Sequence, residues 1–308
     1  MKLIFAERLG PWLARHPKAL DRVWRLEAWL VRGLIRLFQG LGPERSGALG
    51  AWLLRTFGPK ARKKQPVVEA TLRRITPELT PAQRRAVLRA NWESTGAVFA
   101  EYAHLKQLAG PDRLALRDEA NLPGLQAEGR GIIFVGAHYG NWELLPMAAG
   151  RAGCPMRAVY APLHNPYLDD LLREARSAFG ADPFPRGAPL RPMLRHLRSG
   201  GATGLLLDIR VPEGIPVSFF DAPTHFSATP ARLAQRTGAA IVPLWAERLA
   251  PARYRVTFER PLFVEAGEAS LTQVTEALTT RCEAWIRHDP SQWLLANRRW
   301  DKATLAAF

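Results

Sequence analysis

The chain has 308 residues, of which 47% are hydrophobic and 9% aromatic, and its formal net charge is +15. This composition excludes a disordered chain and predicts a packed protein of one large domain or two smaller ones. The two cysteines, Cys154 and Cys282, exclude a disulfide framework and favour a reducing compartment. We expect neither a membrane-spanning helix nor a secretory signal, because arginines interrupt the N-terminal apolar stretch and no apolar run reaches about 18 residues.

The basic charge is concentrated in the N-terminal third. Residues 1–110 hold 20 basic and 8 acidic side chains, a net charge of +12, whereas residues 111–308 hold 23 and 20, a net charge of +3. Such a field attracts nucleic acid, anionic lipid headgroups or an acidic carrier protein. An arginine-rich proteome is the alternative cause, although it explains the preference for arginine better than it explains the asymmetry.

Residues 22–38 are predicted to form an amphipathic helix. We expect this helix to begin after Lys18. Its roughly 24 Å length falls short of the roughly 30 Å hydrocarbon core of a bilayer. Arginines fall on one face and bulky apolar residues supply the remainder, which is typical of a helix lying in a membrane interface. The alternative is a helix packed on the rest of the protein with a solvated arginine stripe. The arginines are Arg22, Arg25, Arg32 and Arg36, and the apolar residues are Trp24, Trp29, Leu30, Leu34, Ile35 and Phe38.

Further along the N-terminal region, residues 57–66 form a basic connection bounded by glycine and proline. A helix is predicted to start at Thr80 and Pro81, a capping residue followed by a proline suited to the first turn. Residues 108–113, LAGPDR, interrupt this helix. We therefore predict a helical N-terminal region over 1–110 and an α/β domain over 111–308.

From residue 132 onward, short apolar runs alternate with helical segments. This pattern predicts an α/β fold with a central, largely parallel or mixed sheet flanked by helices. The last two runs are close enough in sequence to form an antiparallel hairpin. In open α/β sheets the functional site lies beyond the carboxyl ends of the strands, where His138 and Asp208 fall. The runs are 132–137, 156–161, 204–209, 239–247 and 254–259, and the helical segments are 168–179, 189–198 and 228–237.

A histidine followed five positions later by an acidic residue is a weak pattern that occurs three times in this chain. The pairs are His16 with Asp21, His138 with Glu143, and His164 with Asp169. Only His138 follows a predicted strand and precedes a predicted helix. Asn141 is expected to cap that helix and to place Glu143 in its first turn. Pro146 would cost such a helix one hydrogen bond, so a later start is the alternative.

The His138–Glu143 pair suits acid–base chemistry. A carboxylate that holds one ring nitrogen fixes the tautomer and leaves the other nitrogen free to act as a general base. Gly140, with Gly136, would let a substrate approach the backbone closely, and we assign Gly140 and Asn141 to substrate binding. No serine or cysteine adjoins the pair, which favours direct attack by a substrate hydroxyl, and we find no third ligand for a metal. The alternative is a structural histidine beside a helix-capping glutamate.

The stretch GAHYGNWE (136–143) resembles the first block of the glycerolipid-type acyltransferases, specifically the late lipid A acyltransferase branch. Further blocks are similar in the same order: NWESTGAVFAEY (91–102) before it, and 159–186, 205–248 and 290–300 after it. The resemblance covers about residues 90–300. Several ordered blocks together are far more specific than the histidine–acid spacing alone.

This resemblance implies transfer of an acyl chain from acyl carrier protein, or from acyl-CoA, to a hydroxyl of a lipid A precursor. His138 would deprotonate the hydroxyl, Glu143 would orient His138, and no resident cofactor is required. The expected partners are acyl carrier protein and anionic membrane lipids rather than nucleic acid, at the cytoplasmic face of the bacterial inner membrane. The candidates for shaping the phosphosugar site are Asn165, Arg186, Asp208 and Arg210. Arg210 has the alternative role of pairing with Asp208.

The chain departs from the family pattern at three places. Ala161 precedes Pro162 where the family often has arginine, Ile209 follows Asp208 in place of glutamine, and Asn297 replaces a common histidine. These changes leave a lysophospholipid or another anionic glycolipid open as the acceptor. A non-catalytic protein that binds membranes or polyanions is a second alternative, and a hydrolase with a similar site is a third.

Overall fold

The computed structural model of the chain describes residues 10–61, 63–177, 183–185, 187 and 190–308. Its α-helices are α1 (Gly10–Leu13), α2 (Pro17–Leu41), α3 (Pro43–Phe57), α4 (Gln65–Ile75), α5 (Pro81–Glu101), α6 (Leu105–Leu108), α7 (Pro123–Ala127), α8 (Leu145–Arg151), α9 (Pro166–Ser177), α10 (Leu190–Arg198), α11 (Thr229–Thr237), α12 (Glu268–His288) and α13 (Lys302–Ala306). Its strands are β1 (Leu114–Arg117), β2 (Ile132–Gly136), β3 (Met156–Tyr160), β4 (Phe184–Pro185), β5 (Ala202–Leu206), β6 (Ile215–Phe219), β7 (Ala222–Phe226), β8 (Ala240–Ala250) and β9 (Arg253–Phe258).

Seven strands form one mixed sheet in the order β1-β9-β8-β2-β5-β3-β4. Strands β8 and β9 pair antiparallel, and the other neighbouring pairs are parallel. The predicted α/β fold and the predicted hairpin are therefore confirmed. Strands β6 and β7 form a separate antiparallel hairpin that the apolar pattern did not predict. The edge strands β1 and β4 were also missed, because four and two residues are too few to show a pattern.

Strand β2 lies in the middle of the sheet and is buried on both faces. Its side chains alternate between two apolar layers: Ile132 and Phe134 pack in the layer with α8, whereas Ile133 and Val135 pack in the layer with α12. A continuous apolar run is the sequence that such a strand requires. Because β2 is packed on both faces, its end is held firmly in place, and His138 follows two residues after that end.

The N-terminal helices differ from expectation at α2. This helix begins at Pro17, includes Lys18 and has 25 residues, because proline is well suited to the first turn. Helix α5 starts as predicted: Thr80 caps it and forms a reciprocal capping box with Gln83. Helices α3 and α5 cross closely at Gly50 and Gly96, where a Cβ on either glycine would lie 2.1–2.2 Å from the carbonyl oxygen of the other. Among the described helices, none is long and apolar enough to cross a bilayer.

Candidate active site

His138 and Asp208 meet at the carboxyl edge of the sheet. Strands β2 and β5 are parallel neighbours whose register pairs Gly136 with Leu206. His138 and Asp208 each lie two positions beyond this pair, so the register brings the two side chains together. The Nδ1 atom of His138 is 2.8 Å from Oδ1 of Asp208.

Three donors hold the Asp208 carboxylate. Its Oδ2 atom accepts hydrogen bonds from the backbone N–H of His138 at 3.0 Å and from the indole N–H of Trp293 at 2.8 Å. Burial by itself would raise the pKa of Asp208, but the attraction of His138 and these hydrogen bonds outweigh it and lower the pKa. Asp208 therefore stays ionised in a buried position.

The ionised carboxylate determines the state of His138. Because a carboxylate can only accept, the proton of neutral His138 is assigned to Nδ1, which leaves Nε2 as the basic atom. Burial disfavours the charged imidazole, but the interactions with Asp208, and more weakly with Glu143, raise the pKa of His138 overall. The imidazole also packs edge-on against Trp142, with ring centroids 5.1 Å apart. The arrangement suits a general base.

A C-terminal segment, residues 289–295, clamps the loop that carries His138. The backbone N–H of Leu294 donates to the His138 carbonyl at 2.9 Å, and the Gly140 N–H donates to the Gln292 carbonyl at 3.0 Å. Buried Asn91 of α5 donates its amide protons to the carbonyls of Ser291 and Trp293. Sequence reasoning did not identify Trp293 as a site residue, although it lies in the C-terminal resemblance block.

Glu143 does not make the contact that the sequence analysis expected. Its carboxylate accepts a hydrogen bond from Tyr102 at 2.8 Å and a two-point ion pair from Arg176, with Nε of Arg176 at 2.8 Å from Oε2. Asp208 takes the orienting position beside His138 because its strand is the sheet neighbour of β2. Glu143 instead lies in a short 3₁₀ turn, Trp142–Leu144, and faces helix α9.

Arg176 is a further residue that the sequence analysis missed. It lies in the last turn of α9, within the second resemblance block but without a spacing that relates it to Glu143. Burial would lower the pKa of Arg176, but the bonds to Glu143 raise it, so the guanidinium remains charged. The charge of the buried Glu143 carboxylate is thus balanced by Arg176 at the wall of the cavity.

The site opens into a cavity of about 770 Å³. That volume lies within the usual range for small-molecule sites, roughly 300–1,000 Å³. The ionisable side chains His138, Glu143 and Arg176 lie on its wall, and most of the wall is apolar. The inner wall is formed by Phe134, Leu145, Met147, Met156, Gly204 and Leu244, and exposed apolar residues at the rim are Phe99, Leu163, Leu190 and Ile209.

Gly140 and Asn141 have positions that differ from the predicted substrate contacts. Neither is among the described residues that line the cavity. Gly140 has φ +54°, and a Cβ there would lie 1.9 Å from the carbonyl oxygen of Ala246. The close backbone approach is therefore to strand β8. Asn141 is buried and precedes the 3₁₀ turn, but its side chain makes no capping hydrogen bond, so the predicted cap is wrong. The α-helix starts later, at Leu145, which is the alternative that Pro146 left open.

Asn165 is also placed away from the cavity. Its Oδ1 accepts from the backbone N–H of Tyr167 at 3.0 Å, and its Nδ2 donates to the carbonyl of Trp24 and to Glu27 of α2 at 3.0 and 3.1 Å. The side chain thus joins the start of α9 to α2, which is a structural contact.

The two remaining predicted arginines have different outcomes. Arg186 lies outside the described residues. Arg210 lines a second, more open cavity that also includes His225 and Asp301, and among the described groups it forms no ion pair with Asp208. Across the described part of the chain, no group of three histidine, cysteine or acidic side chains is arranged to hold a metal ion.

An α/β sheet that places a carboxylate-bound histidine beyond a strand end, beside a mostly apolar cavity, is an arrangement that suits a general base next to an apolar ligand. The chain belongs to the bacterial lipid A biosynthesis acyltransferase family, whose family model matches residues 15–302. The resemblance inferred from the sequence is thereby confirmed, and family membership supports acyltransferase activity.

Individual relatives are distant. The chain is 26% identical over 212 residues to a lipid A biosynthesis acyltransferase of Haemophilus influenzae, covering 65% of this chain and 63% of that protein. It is 25% identical over 185 residues to a phosphatidylinositol mannoside acyltransferase of Mycolicibacterium smegmatis, covering 56% and 57%. It is 24% identical over 193 residues to one of Mycobacterium tuberculosis, covering 58% of each. The chain therefore spans less than two thirds of the length of these curated relatives.

Proposed function

We propose that the chain is a membrane-associated O-acyltransferase at the cytoplasmic face of the bacterial inner membrane. It moves a fatty acyl chain from the thioester of acyl carrier protein to a hydroxyl of a lipid A precursor. The observation that carries this proposal is the pair of half-buried His138 and buried Asp208 beside a mostly apolar cavity of about 770 Å³. The cavity holds the acyl chain, and the histidine lies where the thioester carbon meets the acceptor.

The reaction requires His138 to accept a proton from the acceptor and then to donate it to the leaving thiolate. Nε2 of His138 takes the proton of the acceptor hydroxyl while its oxygen attacks the thioester carbonyl, and Asp208 stabilises the resulting imidazolium. The tetrahedral intermediate then collapses: the new C–O bond remains, the C–S bond breaks, and the imidazolium returns the proton to the departing thiolate. No covalent acyl-enzyme is required.

Glu143 has a positioning role in this scheme. Its ion pair with Arg176 holds a guanidinium at the polar end of the cavity. Tyr102 completes the arrangement by donating to the same carboxylate. The pair ties the catalytic loop to helix α9 and keeps Arg176 in a fixed orientation beside the reacting groups.

The acceptor that we propose is an anionic glycolipid. The three departures from the family pattern, Ala161, Ile209 and Asn297, all line the cavity, so they alter the surface near the incoming hydroxyl. Relatives named for lipid A and for phosphatidylinositol mannoside are matched at nearly equal identity, 26% and 25%. A lipid A precursor is our first proposal, and a different anionic glycolipid is the second.

Helix α2 supports the proposed membrane contact. It buries Glu27, Ala28 and Phe38 against the protein, yet leaves a stripe of large apolar side chains exposed. The stripe consists of Leu26, Trp29, Leu30, Leu34 and Leu37, and Trp29 is 70% exposed. The exposed arginines Arg22, Arg25, Arg32 and Arg36 lie beside it. Apolar residues flanked by cations suit insertion into a surface of anionic headgroups.

The proposed function is tested by complementing a deletion strain and analysing its lipids by mass spectrometry. Wild type should restore the missing acyl chain on lipid A, and His138→Ala should not. His164→Ala is the matched control, because His164 has the same spacing to an acid but is exposed. Restoration by His138→Ala would overturn the catalytic role, and an intact lipid A with an altered minor glycolipid would move the proposal to the second acceptor.

A parallel assay with purified protein separates acyl transfer from the two remaining alternatives. Incubation with acyl thioester and acceptor should release thiol and form the acylated lipid in equal amounts. Thioester cleavage that is independent of acceptor would indicate a hydrolase. Vesicle binding without either product would indicate a non-catalytic membrane protein.

A further inference from the structure

Helices α10 and α11 carry a surface made of arginines. On α10 the arginines follow the i, i+4, i+7 spacing of one helix face, and on α11 they follow the i, i+4 spacing. Neither helix contains an acidic residue. The exposed members are Arg191, Arg195 and Arg198 on α10 and Arg232 and Arg236 on α11, and together we call them the α10–α11 arginine surface.

The α10–α11 arginine surface is continuous and begins at the cavity. The two helices touch, and Nη2 of Arg198 donates to the carbonyl of Arg236 at 3.2 Å. Leu190 and Met193 of α10 and Thr229 of α11 line the cavity. A partner on this surface would therefore lie next to the cavity opening.

The charge on this surface is not neutralised by neighbouring carboxylates among the described residues. Among the described residues, none of the five arginines has a carboxylate oxygen within 4.0 Å, whereas Arg281 and Arg287 of α12 both form ion pairs. Residues 111–308 have a net charge of only +3, so five positive charges on two adjacent helices are a strong local excess. Uncompensated charge of this kind draws an anionic partner.

We propose that the α10–α11 arginine surface docks the acidic carrier protein that delivers the acyl thioester, a proposal that rests on the proposed function. An anionic membrane is a weaker fit, because an interfacial helix exposes apolar residues beside its cations. Helix α2 does so, whereas Met193 and Leu197 of α10 are buried and Leu190, at the cavity rim, is its one large exposed apolar side chain. A hydrated, arginine-rich face beside the cavity suits electrostatic docking of a protein.

The test compares two donors that carry the same acyl chain. Arg191→Glu with Arg195→Glu, and separately Arg232→Glu with Arg236→Glu, should raise the KM for acyl carrier protein thioester about tenfold with little change in kcat. The KM for acyl-CoA should change much less, because that donor lacks the acidic protein. The control is Arg85→Glu with Arg89→Glu, an exposed pair on α5 with the same spacing. The two residues lie about 15–21 Å along the helix from Phe99 at the cavity rim.

Binding is measured apart from turnover, by fluorescence anisotropy of labelled carrier protein without its acyl chain. Wild type and the α5 control should bind alike, with affinity falling as salt rises, and the α10–α11 variants should bind about tenfold more weakly. Unchanged affinity and unchanged KM would overturn the docking proposal even if wild type transfers acyl chains. A loss of binding to anionic vesicles with carrier affinity unchanged would assign the surface to the membrane and also overturn it. Failure of wild type to acylate any acceptor from either donor would refute the proposed function instead.

Discussion

Nδ1 of His138 lies 2.8 Å from Oδ1 of Asp208, although 70 residues separate them in the chain. The contact follows from the parallel register of β2 and β5, because both residues lie two positions beyond a paired strand end. Trp293 donates to the second carboxylate oxygen and so fixes the orientation of Asp208. The base of the proposed reaction is thus positioned by the sheet and by the C-terminal segment.

Asp208→Asn should lower kcat by about 10²–10⁴, with a smaller effect on KM. The amide retains the shape of the carboxylate but cannot stabilise an imidazolium, and it allows the wrong histidine tautomer. Steady-state kinetics with acyl carrier protein thioester measure the effect. Asp169→Asn, at an acid spaced from His164 as Glu143 is from His138, is the control, and both variants should keep wild-type circular dichroism. A kcat within threefold of wild type would show that Asp208 does not position the base.

The pH dependence of activity should also show the effect of Asp208 on His138. Burial lowers the pKa of His138 but Asp208 outweighs it, so the folded pKa is above the ordinary value of 6.5. A general base must be neutral, and activity should therefore fall as the pH drops through this raised pKa. Loss of the carboxylate in Asp208→Asn leaves burial dominant, which should move the acidic limb of kcat/KM to lower pH. A limb that stays in place would argue that another group titrates.

Sequence patterns located the central strands but not their order in the sheet. The apolar runs located β2 and β5, and so placed His138 and Asp208 at the correct edge of the sheet. Glu143 was then chosen as the carboxylate that orients His138, because it is close to His138 in the sequence. The partner was instead set by which strands are neighbours, and this depends on long-range packing. Arg176 and Trp293 were missed for the same reason, since each reaches the site from a separate segment.

The buried ion pair between Glu143 and Arg176 should show strong coupling. Arg176→Met leaves the Glu143 carboxylate, which is 5% exposed, without its counter-charge and should destabilise the fold by about 2–4 kcal/mol. Adding Glu143→Gln removes that uncompensated charge and should restore part of the lost stability. Chemical denaturation of both single variants and the double variant gives the coupling free energy.

Additive stability losses in this cycle would mean that the ion pair is not formed in solution. Turnover adds a second readout. If Glu143 acts by holding Arg176, the Glu143→Gln and Arg176→Met losses in kcat should not add. If Glu143 instead contacts His138 directly, Glu143→Gln should shift the pH profile as Asp208→Asn does.

Gly140→Ala should destabilise the protein through β8 packing rather than through lost substrate contact. Its Cβ would meet the carbonyl oxygen of Ala246 at 1.9 Å, and the residue also has a positive φ. Gly129→Ala is the matched control, because Gly129 has φ +63° with nothing within 4 Å of the added Cβ. We expect a loss of about 1 kcal/mol for Gly129→Ala and at least about 3 kcal/mol for Gly140→Ala. Equal losses in thermal denaturation would show that the loop can move away from β8.

The exposed stripe of α2 should bind anionic vesicles. Trp29→Gln with Leu37→Gln removes two exposed apolar side chains, and burial of each in the interface contributes about 1–2 kcal/mol, so partitioning should fall at least about tenfold. Leu249→Gln, at a side chain that is 50% exposed on β8, is the control and should bind normally. Arg22→Gln with Arg36→Gln should weaken binding at low salt and flatten its salt dependence, because headgroup attraction is screened. Co-sedimentation with vesicles measures all four proteins, and wild-type partitioning by the Trp29 and Leu37 variant would rule out this stripe as the membrane contact.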